Sequence, residues 1–228
     1  MIGRFVQETN NLFEQEKYEE VYDLCYQELN NFENIGRDYN DEERHYIATI
    51  YSTMAQIVED DEALKCLDCA ISFFPNSASL YYQRADVKKN ISDFKGAVAD
   101  YSIIVENAPT SEAYIHRALA KFSLRDFKGV ISDCSKALEI TPDLVHAYGF
   151  RGEAKMQMED YESALDDFRY ILQIDPENIG AKKAFVDLKS IISKEGLTCM
   201  ECTLKTGERV RQFMTDEGII QIPIAEEE

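Results

Sequence analysis

Two cysteines near the end of the chain, Cys199 and Cys202, have the spacing of a redox pair or of half a zinc site. Structural zinc needs four ligands, and the residues after Cys202 contain neither a second cysteine pair nor a histidine. Three interpretations stay open: a zinc ion shared by two copies of the chain, a thiol-dependent switch, and incidental free thiols. The last is the simplest, so we predict no metal and no other cofactor, with Cys199 and Cys202 as the weak candidates for ligands.

The three histidines, His45, His116 and His146, have no carboxylate or cysteine at a spacing typical of a catalytic group. The sequence also lacks a nucleophile elbow, a glycine-rich phosphate loop and an HExxH motif. It therefore predicts a protein that is not an enzyme and has no catalytic residues.

Arginine and aspartate residues recur at regular intervals, as Arg84, Arg117 and Arg151 and as Asp100, Asp133 and Asp167. One active site would need such residues once, so the regularity indicates a structural role. We interpret the two series as a ladder in which each arginine meets a carboxylate on a neighbouring helix. A row of arginines that binds anions is the alternative, and the many nearby acidic residues argue against it.

The residues recur because the chain contains copies of one unit. Four prolines, Pro75, Pro109, Pro142 and Pro176, are separated by 34, 33 and 34 residues. The best copy, residues 145–178, has the pattern of two amphipathic helices with a turn at Asp160, which is expected to cap the second helix. Pro176 ends the copy because proline cannot continue a helix.

The unit resembles the tetratricopeptide repeat, whose period is about 34 residues. The last copy keeps the Gly-Ala-Phe-Pro pattern of that family as Gly152, Ala164, Phe168 and Pro176, with Tyr148 where Trp is usual. Arginine and lysine replace the usual leucine and second tyrosine. The resemblance implies an all-α, right-handed solenoid of about five helical hairpins plus a C-terminal capping helix.

The repeat domain is expected to span residues 1–195. Its repeats are predicted at about 2–35, 44–77, 78–110, 111–144 and 145–178, with the capping helix at 179–195. An insertion at 36–43 is predicted to be a loop, with Asn40 or Asp41 capping the next helix. Residues 196–228 form a tail in which TDEG predicts the turn of a short hairpin, and the apolar segment 218–225 is a candidate occupant of a groove.

In the family that the chain resembles, the first helices of successive hairpins line a concave groove that binds peptides. On each first helix, some residues are expected to pack on neighbouring helices, and the others face the groove. The residues predicted to line a partner-binding groove are Tyr82, Gln83, Asp86, Asn90, Ile115, His116, Leu119, Phe122, His146, Phe150, Glu153 and Met156. This mixture favours an apolar or aromatic segment. The alternative is that Phe122, Phe150 and Met156 belong mostly to the core between helices.

Some tetratricopeptide proteins bind the acidic tails of heat-shock chaperones through a clamp of Lys, Asn and Arg. The corresponding positions here include Tyr82, Asp86, His116 and Phe150, and none is Lys, Arg or Asn. We therefore predict a different ligand and a non-catalytic scaffold or adaptor. The alternatives are a chaperone-like holder of an apolar client segment and a metal- or thiol-dependent switch.

The chain of 228 residues carries a formal net charge of −19, with the acidic excess concentrated at the N-terminal end. Such a surface repels phosphates, so the partner is expected to be a protein or peptide and not nucleic acid or a membrane. A homodimer through the groove or tail stays open. The sequence shows no signal-peptide layout, and Cys25, Cys66, Cys69 and Cys134 fall in helical stripes as small apolar residues. A reducing, cytoplasmic location is predicted.

Overall fold

The computed structural model describes residues 2–33, 38–194, 200–203, 209–215 and 218–223. These residues form eleven α-helices followed by three β-strands. The helices are α1 (Ile2–Glu14), α2 (Tyr18–Glu33), α3 (Asp41–Met54), α4 (Asp60–Phe73), α5 (Ala78–Asn90), α6 (Phe94–Asn107), α7 (Ser111–Ser123), α8 (Phe127–Ile140), α9 (Val145–Gln157), α10 (Tyr161–Ile174) and α11 (Ile179–Lys194). The strands are β1 (Met200–Thr203), β2 (Arg209–Thr215) and β3 (Gly218–Pro223).

The chain divides into two compact units, unit 1 at residues 1–129 and unit 2 at residues 130–228. In unit 1 each helix from α1 to α6 packs on the next one along the chain, and in unit 2 α9 packs on α10 and α10 on α11. A hairpin of this kind cannot bury its apolar face alone, so it packs on its neighbours. The predicted all-α repeat fold is confirmed, and the three strands follow it.

The turn between paired helices has the same backbone in four repeats. Its left-handed residue, in the region that glycine prefers, is Glu16, Ser92, Arg125 or Glu159, with φ values of 56°, 63°, 60° and 63°. The residue after each donates its N–H to a carbonyl five residues earlier, as Asp160 N does to Lys155 O at 2.9 Å. This is the Schellman ending of a helix.

Side-chain caps begin the next helices. Asp93, Asp126 and Asp160 each accept a hydrogen bond from a backbone N–H three residues later, at 2.9, 3.0 and 3.4 Å. The predicted cap at Asp160 is thus confirmed. Asn40 forms a capping box with Glu43, since each side chain accepts from the other's backbone N–H at 2.9 and 3.0 Å. The prediction of a cap at 40 or 41 is confirmed with Asn40.

An ion-pair network ties the third hairpin together. Arg84 donates from Nε and Nη2 to both carboxylate oxygens of Asp100, at 3.0 and 2.6 Å, and Lys88 Nζ reaches the same carboxylate at 2.8 Å. The remaining guanidinium nitrogen, Nη1, donates to Asp68 at 2.6 Å. The guanidinium also lies 5.4 Å from the ring centroid of Tyr81. Burial lowers the pKa of Arg84, but these carboxylates outweigh burial and leave the pKa above its ordinary value.

The last hairpin repeats this network. Arg151 donates to Asp167 at 3.1 and 2.6 Å and to Ser135 Oγ at 3.2 Å, while Lys155 Nζ lies 2.8 Å from Asp167. The guanidinium lies 5.3 Å from the Tyr148 ring. The predicted ladder is therefore confirmed at these two repeats. The alternative of an anion-binding row is wrong for both arginines, because their guanidinium groups already pair within the fold.

The buried cores of the units consist of aliphatic and aromatic side chains from successive helices. Unit 1 buries Phe5, Val21, Ile50, Leu67 and Tyr101 among others, and unit 2 buries Ala164, Phe168, Ile171, Ala181 and Leu188. Among the described residues, no helix is long and apolar enough to cross a bilayer.

Three of the four helical cysteines lie in the core as predicted. Burial raises the pKa of Cys25 and of Cys134 to about 12, and that of Cys66 to about 11, so these thiols stay protonated. Cys69 is exposed, so its prediction as a stripe residue was wrong. It lies three residues after Cys66 on α4, a spacing that does not require both side chains to reach the core.

The tail strands form one antiparallel sheet in the order β1-β2-β3. Met214 pairs with Ile219, and Thr215 with Gly218, on either side of the position where the sequence predicts a turn. Residues 218–223 are therefore a strand paired with β2.

Candidate functional site

The third and fourth repeats bring three predicted groove residues together around Tyr101. His116 stacks on Tyr101 with ring centroids 5.5 Å apart, and Tyr82 meets these two rings edge-on at 5.5 and 5.8 Å. The Tyr101 hydroxyl donates to Asp86 at 2.9 Å. We name Tyr82, Asp86, Tyr101 and His116 the aromatic cluster. Tyr101 was missing from the predicted groove because it belongs to a second helix, α6.

The tyrosine hydroxyls and the Asp86 carboxylate of the aromatic cluster make hydrogen bonds within the fold. Burial raises the pKa of Tyr101, and the Asp86 charge raises it further, so the hydroxyl remains a donor. Burial likewise raises the pKa of Tyr82, against the opposing hydrogen bond to Thr110. Asp86 also pairs with Lys89 at 2.9 Å. Its carboxylate is thus already engaged, although the residue itself is exposed.

One atom of the aromatic cluster has no partner. Nδ1 of His116 is buried and makes no hydrogen bond to any described residue. A buried polar atom without a partner costs about 1–3 kcal/mol. Such a cost is unusual in a structural residue and calls for an explanation.

His116→Phe is expected to raise the free energy of unfolding by about 1 kcal/mol, because the ring keeps its place between the tyrosines and the unpaired nitrogen disappears. Denaturant unfolding followed by circular dichroism measures the change. His146→Phe is the control, since that histidine is exposed and its replacement should change stability by less than about 0.5 kcal/mol. Equal or lower stability of His116→Phe would show that Nδ1 is solvated or paired in solution.

The other predicted groove residues of unit 1 are distributed along α5 and α7. Gln83 is half-buried and accepts a hydrogen bond from Ser52 at 2.9 Å, whereas Asn90 is exposed. Ile115, Leu119 and Phe122 are half-buried. The structure thus joins Tyr82, Asp86 and His116 in one cluster, and the remaining residues flank it on the same two helices.

In unit 2 a cleft of about 460 Å³ is lined by residues of α9, α10 and α11, and we name it the capping cleft. Its volume is in the range of about 300–1,000 Å³ that ligand sites occupy. The four predicted groove residues of the last repeat, His146, Phe150, Glu153 and Met156, line it. The other lining residues are Val145, Gly149, Phe168, Ile171, Asn178, Gly180, Ala181, Lys183, Ala184 and Asp187.

The deepest lining residues of the capping cleft are apolar, because Phe168, Ile171 and Ala181 are all buried. Phe150 is half-buried. Gly149 leaves room above this floor, since a Cβ there would meet no atom closer than Ile171 Cδ1 at 4.0 Å. The capping cleft can therefore receive an apolar side chain.

Three charged side chains and one histidine border the apolar floor. His146, Glu153, Lys183 and Asp187 are all exposed. Although the side chain of Glu153 is accessible, partial desolvation of its carboxyl raises its pKa. The arrangement suits binding of a group that is part apolar and part polar, and it holds no nucleophile paired with a base.

The residues of α11 were not predicted as site residues, because the sequence assigns that helix only the role of a cap. Lys183 and Asp187 lie four residues apart on it and both line the cleft. Residues four apart lie on one face of a helix, so the sequence alone could have placed Lys183 and Asp187 on the same face of α11. Of the tail pair, Cys199 lies outside the described residues, and Cys202 lies in β1.

Comparison with known proteins agrees with this geometry. A family model described as a tetratricopeptide repeat matches residues 145–178, the hairpin that carries α9 and α10. A solved tetratricopeptide repeat protein from Parabacteroides merdae ATCC 43184 has a TM-score of 0.68 at 15% identity, covering 85% of this chain and 74% of its own. Residues 145–178 therefore match a tetratricopeptide repeat, and the chain shares the fold of a tetratricopeptide-repeat protein.

Two further structures share its fold. MamA matches with a TM-score of 0.62 and 16% identity over 87% of this chain and 97% of MamA. YrrB, described as a tetratricopeptide protein, matches with a TM-score of 0.59 and 16% identity over 69% of this chain and 81% of YrrB. These likenesses show the fold, a helical-repeat solenoid. No curated protein sequence matches this chain significantly.

Proposed function

We propose that this helical-repeat protein is a non-catalytic scaffold or adaptor that binds a peptide or partner segment on the first helices of its repeats. Its main anchor point is the capping cleft. The observation that carries the proposal is the apolar floor of the cleft, reached past Gly149 and bordered by Phe150 and Met156. Apolar pockets of this kind supply most of the affinity in protein recognition.

Further observations support a protein partner. Stacked helical repeats form surfaces that bind other proteins. The structure of YrrB is described as carrying an unusual peptide-binding site, which is a property of YrrB. The net charge of −19 disfavours nucleic acid and anionic membranes as partners. The buried, unpaired thiols of Cys25, Cys66 and Cys134 fit a reducing compartment, and we place the protein in the cytoplasm.

Phe150→Glu is expected to reduce capture of the partner by about tenfold or more, because it places a charge on the apolar wall of the cleft. The measurement is quantitative affinity capture from the native cell extract, followed by mass spectrometry. Val186→Glu is the matched control: it makes a similar substitution on α11, at a residue that is 63% exposed and does not line the cleft.

Gly149→Leu provides a second variant if Phe150→Glu fails to fold. Leucine favours helix more than glycine does, and its side chain enters the open space above Ile171. Capture that survives both variants, in proteins whose circular dichroism matches wild type, would mean that the cleft is not the binding site.

A further inference from the structure

Glu153 lines the capping cleft without a partner. Among the described residues it makes no hydrogen bond and no ion pair, and loss of water around its carboxyl raises its pKa. A carboxylate beside an apolar surface is stabilised when a cation comes within about 4–6 Å, because the cation favours its charged form. The position therefore favours a ligand that brings a positive charge.

Asp187 is the second carboxylate of the cleft. Within the part of the chain that the structure describes, neither it nor the nearby Lys183 forms an ion pair. Lys182, by contrast, is already paired with Glu177 at 2.9 Å. Glu153 and Asp187 carry two negative charges and Lys183 one positive charge, so the border of the cleft is acidic overall. The whole chain is also acidic, with a net charge of −19.

The apolar floor lies next to this acidic border. Phe168 and Ile171, both 4% exposed, form the floor, and Phe150 stands one helical turn before Glu153 on α9. A ligand that satisfies both regions has an apolar side chain for the floor and a cation within a few ångströms of it. In a peptide, neighbouring residues provide that separation.

Building on the proposed function, we infer that the partner segment carries an aliphatic or aromatic residue with a lysine or arginine close to it in sequence. The apolar side chain enters the capping cleft beside Phe150, and the basic group pairs with Glu153 and Asp187. Recognition then depends on charge as well as on apolar contact, and charge selects the partner.

Other occupants fit the cleft less well. An acidic segment would meet two unpaired carboxylates and be repelled. A second copy of the chain, joined by twofold symmetry through this face, would bring the same carboxylates of both copies together.

The test is a selection of random peptides displayed on phage against the immobilised full-length protein. Enriched peptides are expected to carry Lys or Arg within two positions of an apolar residue. Synthetic versions should bind the Glu153→Lys variant about tenfold more weakly than wild type in fluorescence polarisation. Replacing the peptide's basic residue by Glu should reverse that preference.

Glu139→Lys is the matched control, because it changes the net charge equally at an exposed residue of α8 that does not line the cleft. It should leave binding of the selected peptides within about twofold of wild type. An equal loss in both variants would trace the preference to overall charge and overturn the inference.

The outcomes separate the inference from the proposed function. Two outcomes overturn the inference and leave the proposed function standing. In the first, peptides lose binding to Gly149→Leu but contain no basic residue. In the second, they lose binding to Gly149→Leu but bind Glu153→Lys as tightly as wild type. Peptides unaffected by Gly149→Leu, or no enrichment at all, count against both. A wild-type dimer in sedimentation that Gly149→Leu dissociates would identify a second copy as the occupant, which also overturns the inference.

Discussion

Asp167→Ala is expected to lower the free energy of unfolding by about 3–5 kcal/mol. Asp167 is 3% exposed and accepts two hydrogen bonds from Arg151 and one from Lys155. The hydrogen bonds to Asp167 raise the pKa of Arg151, and burial lowers it. The pKa remains above its ordinary value, so the guanidinium stays charged. Without the carboxylate, the largely buried cations of Arg151 and Lys155 lose the partner that offsets their loss of water. The uncompensated desolvation of these two cations is the main part of the cost.

Denaturant unfolding of Asp167→Ala measures this cost, and Asp166→Ala is its control. Asp166 is the adjacent residue and an acid too, but its side chain is 70% exposed and pairs with Arg169 three residues away on the same helix. Its loss should change stability by less than about 1 kcal/mol, as for other surface ion pairs. Similar effects of the two variants would show that the buried network contributes no more than a surface pair.

The ion-pair networks could be predicted from the sequence because each residue recurs at a constant spacing. Arg84 precedes Asp100, and Arg151 precedes Asp167, by 16 residues, with the lysine four residues after each arginine. Within a helix, four residues return the chain to the same face. The turn between the two helices has the same length in both repeats, so it places Asp100 and Asp167 opposite that face. The same spacing in the sequence therefore gives the same contact in each repeat.

The position of the turn could be predicted, but its left-handed backbone conformation could not. Ser92, Arg125 and Glu159 adopt positive φ, yet none is glycine or asparagine, the residues that favour this conformation. The backbone hydrogen bonds of the Schellman ending, such as Asp160 N to Lys155 O, stabilise it. These bonds depend on the helix that precedes the turn and not on the residue that occupies it.

The capping cleft could be predicted in part. The face of α9 that carries Phe150 and Glu153 follows from helix periodicity, whereas Lys183 and Asp187 join it through the packing of α11 on α10. That packing depends on which side of α11 is buried. A short series of apolar residues in the sequence predicts the buried side only to within one residue position around the helix. The half-buried state of Phe150 and Met156 has the same origin, because they lie at the border between core and cleft.

Gly152→Ala is expected to lower the free energy of unfolding by about 1–2 kcal/mol, in spite of alanine's better helix propensity. A Cβ at residue 152 would stand 2.9 Å from Cε2 and Cζ of Phe168, which is 4% exposed. The ring or the whole of α10 must then move. The third repeat has Ala85 and Tyr101 in the aligned positions, so the fold accommodates such a pair after adjustment, and the cost is that of the adjustment.

Gly149→Ala in the same helix is expected to have the opposite sign, raising the free energy of unfolding by about 0.5–1 kcal/mol. Its new methyl group meets no atom closer than 4.0 Å, so the gain in helix propensity has nothing to oppose it. Both variants are measured by denaturant unfolding, beside Phe168→Leu and the double variant Gly152→Ala/Phe168→Leu. If the contact with the ring causes the loss, the double variant is more stable than the sum of the single changes predicts. Strict additivity would mean that the cost at Gly152 comes from elsewhere in the helix.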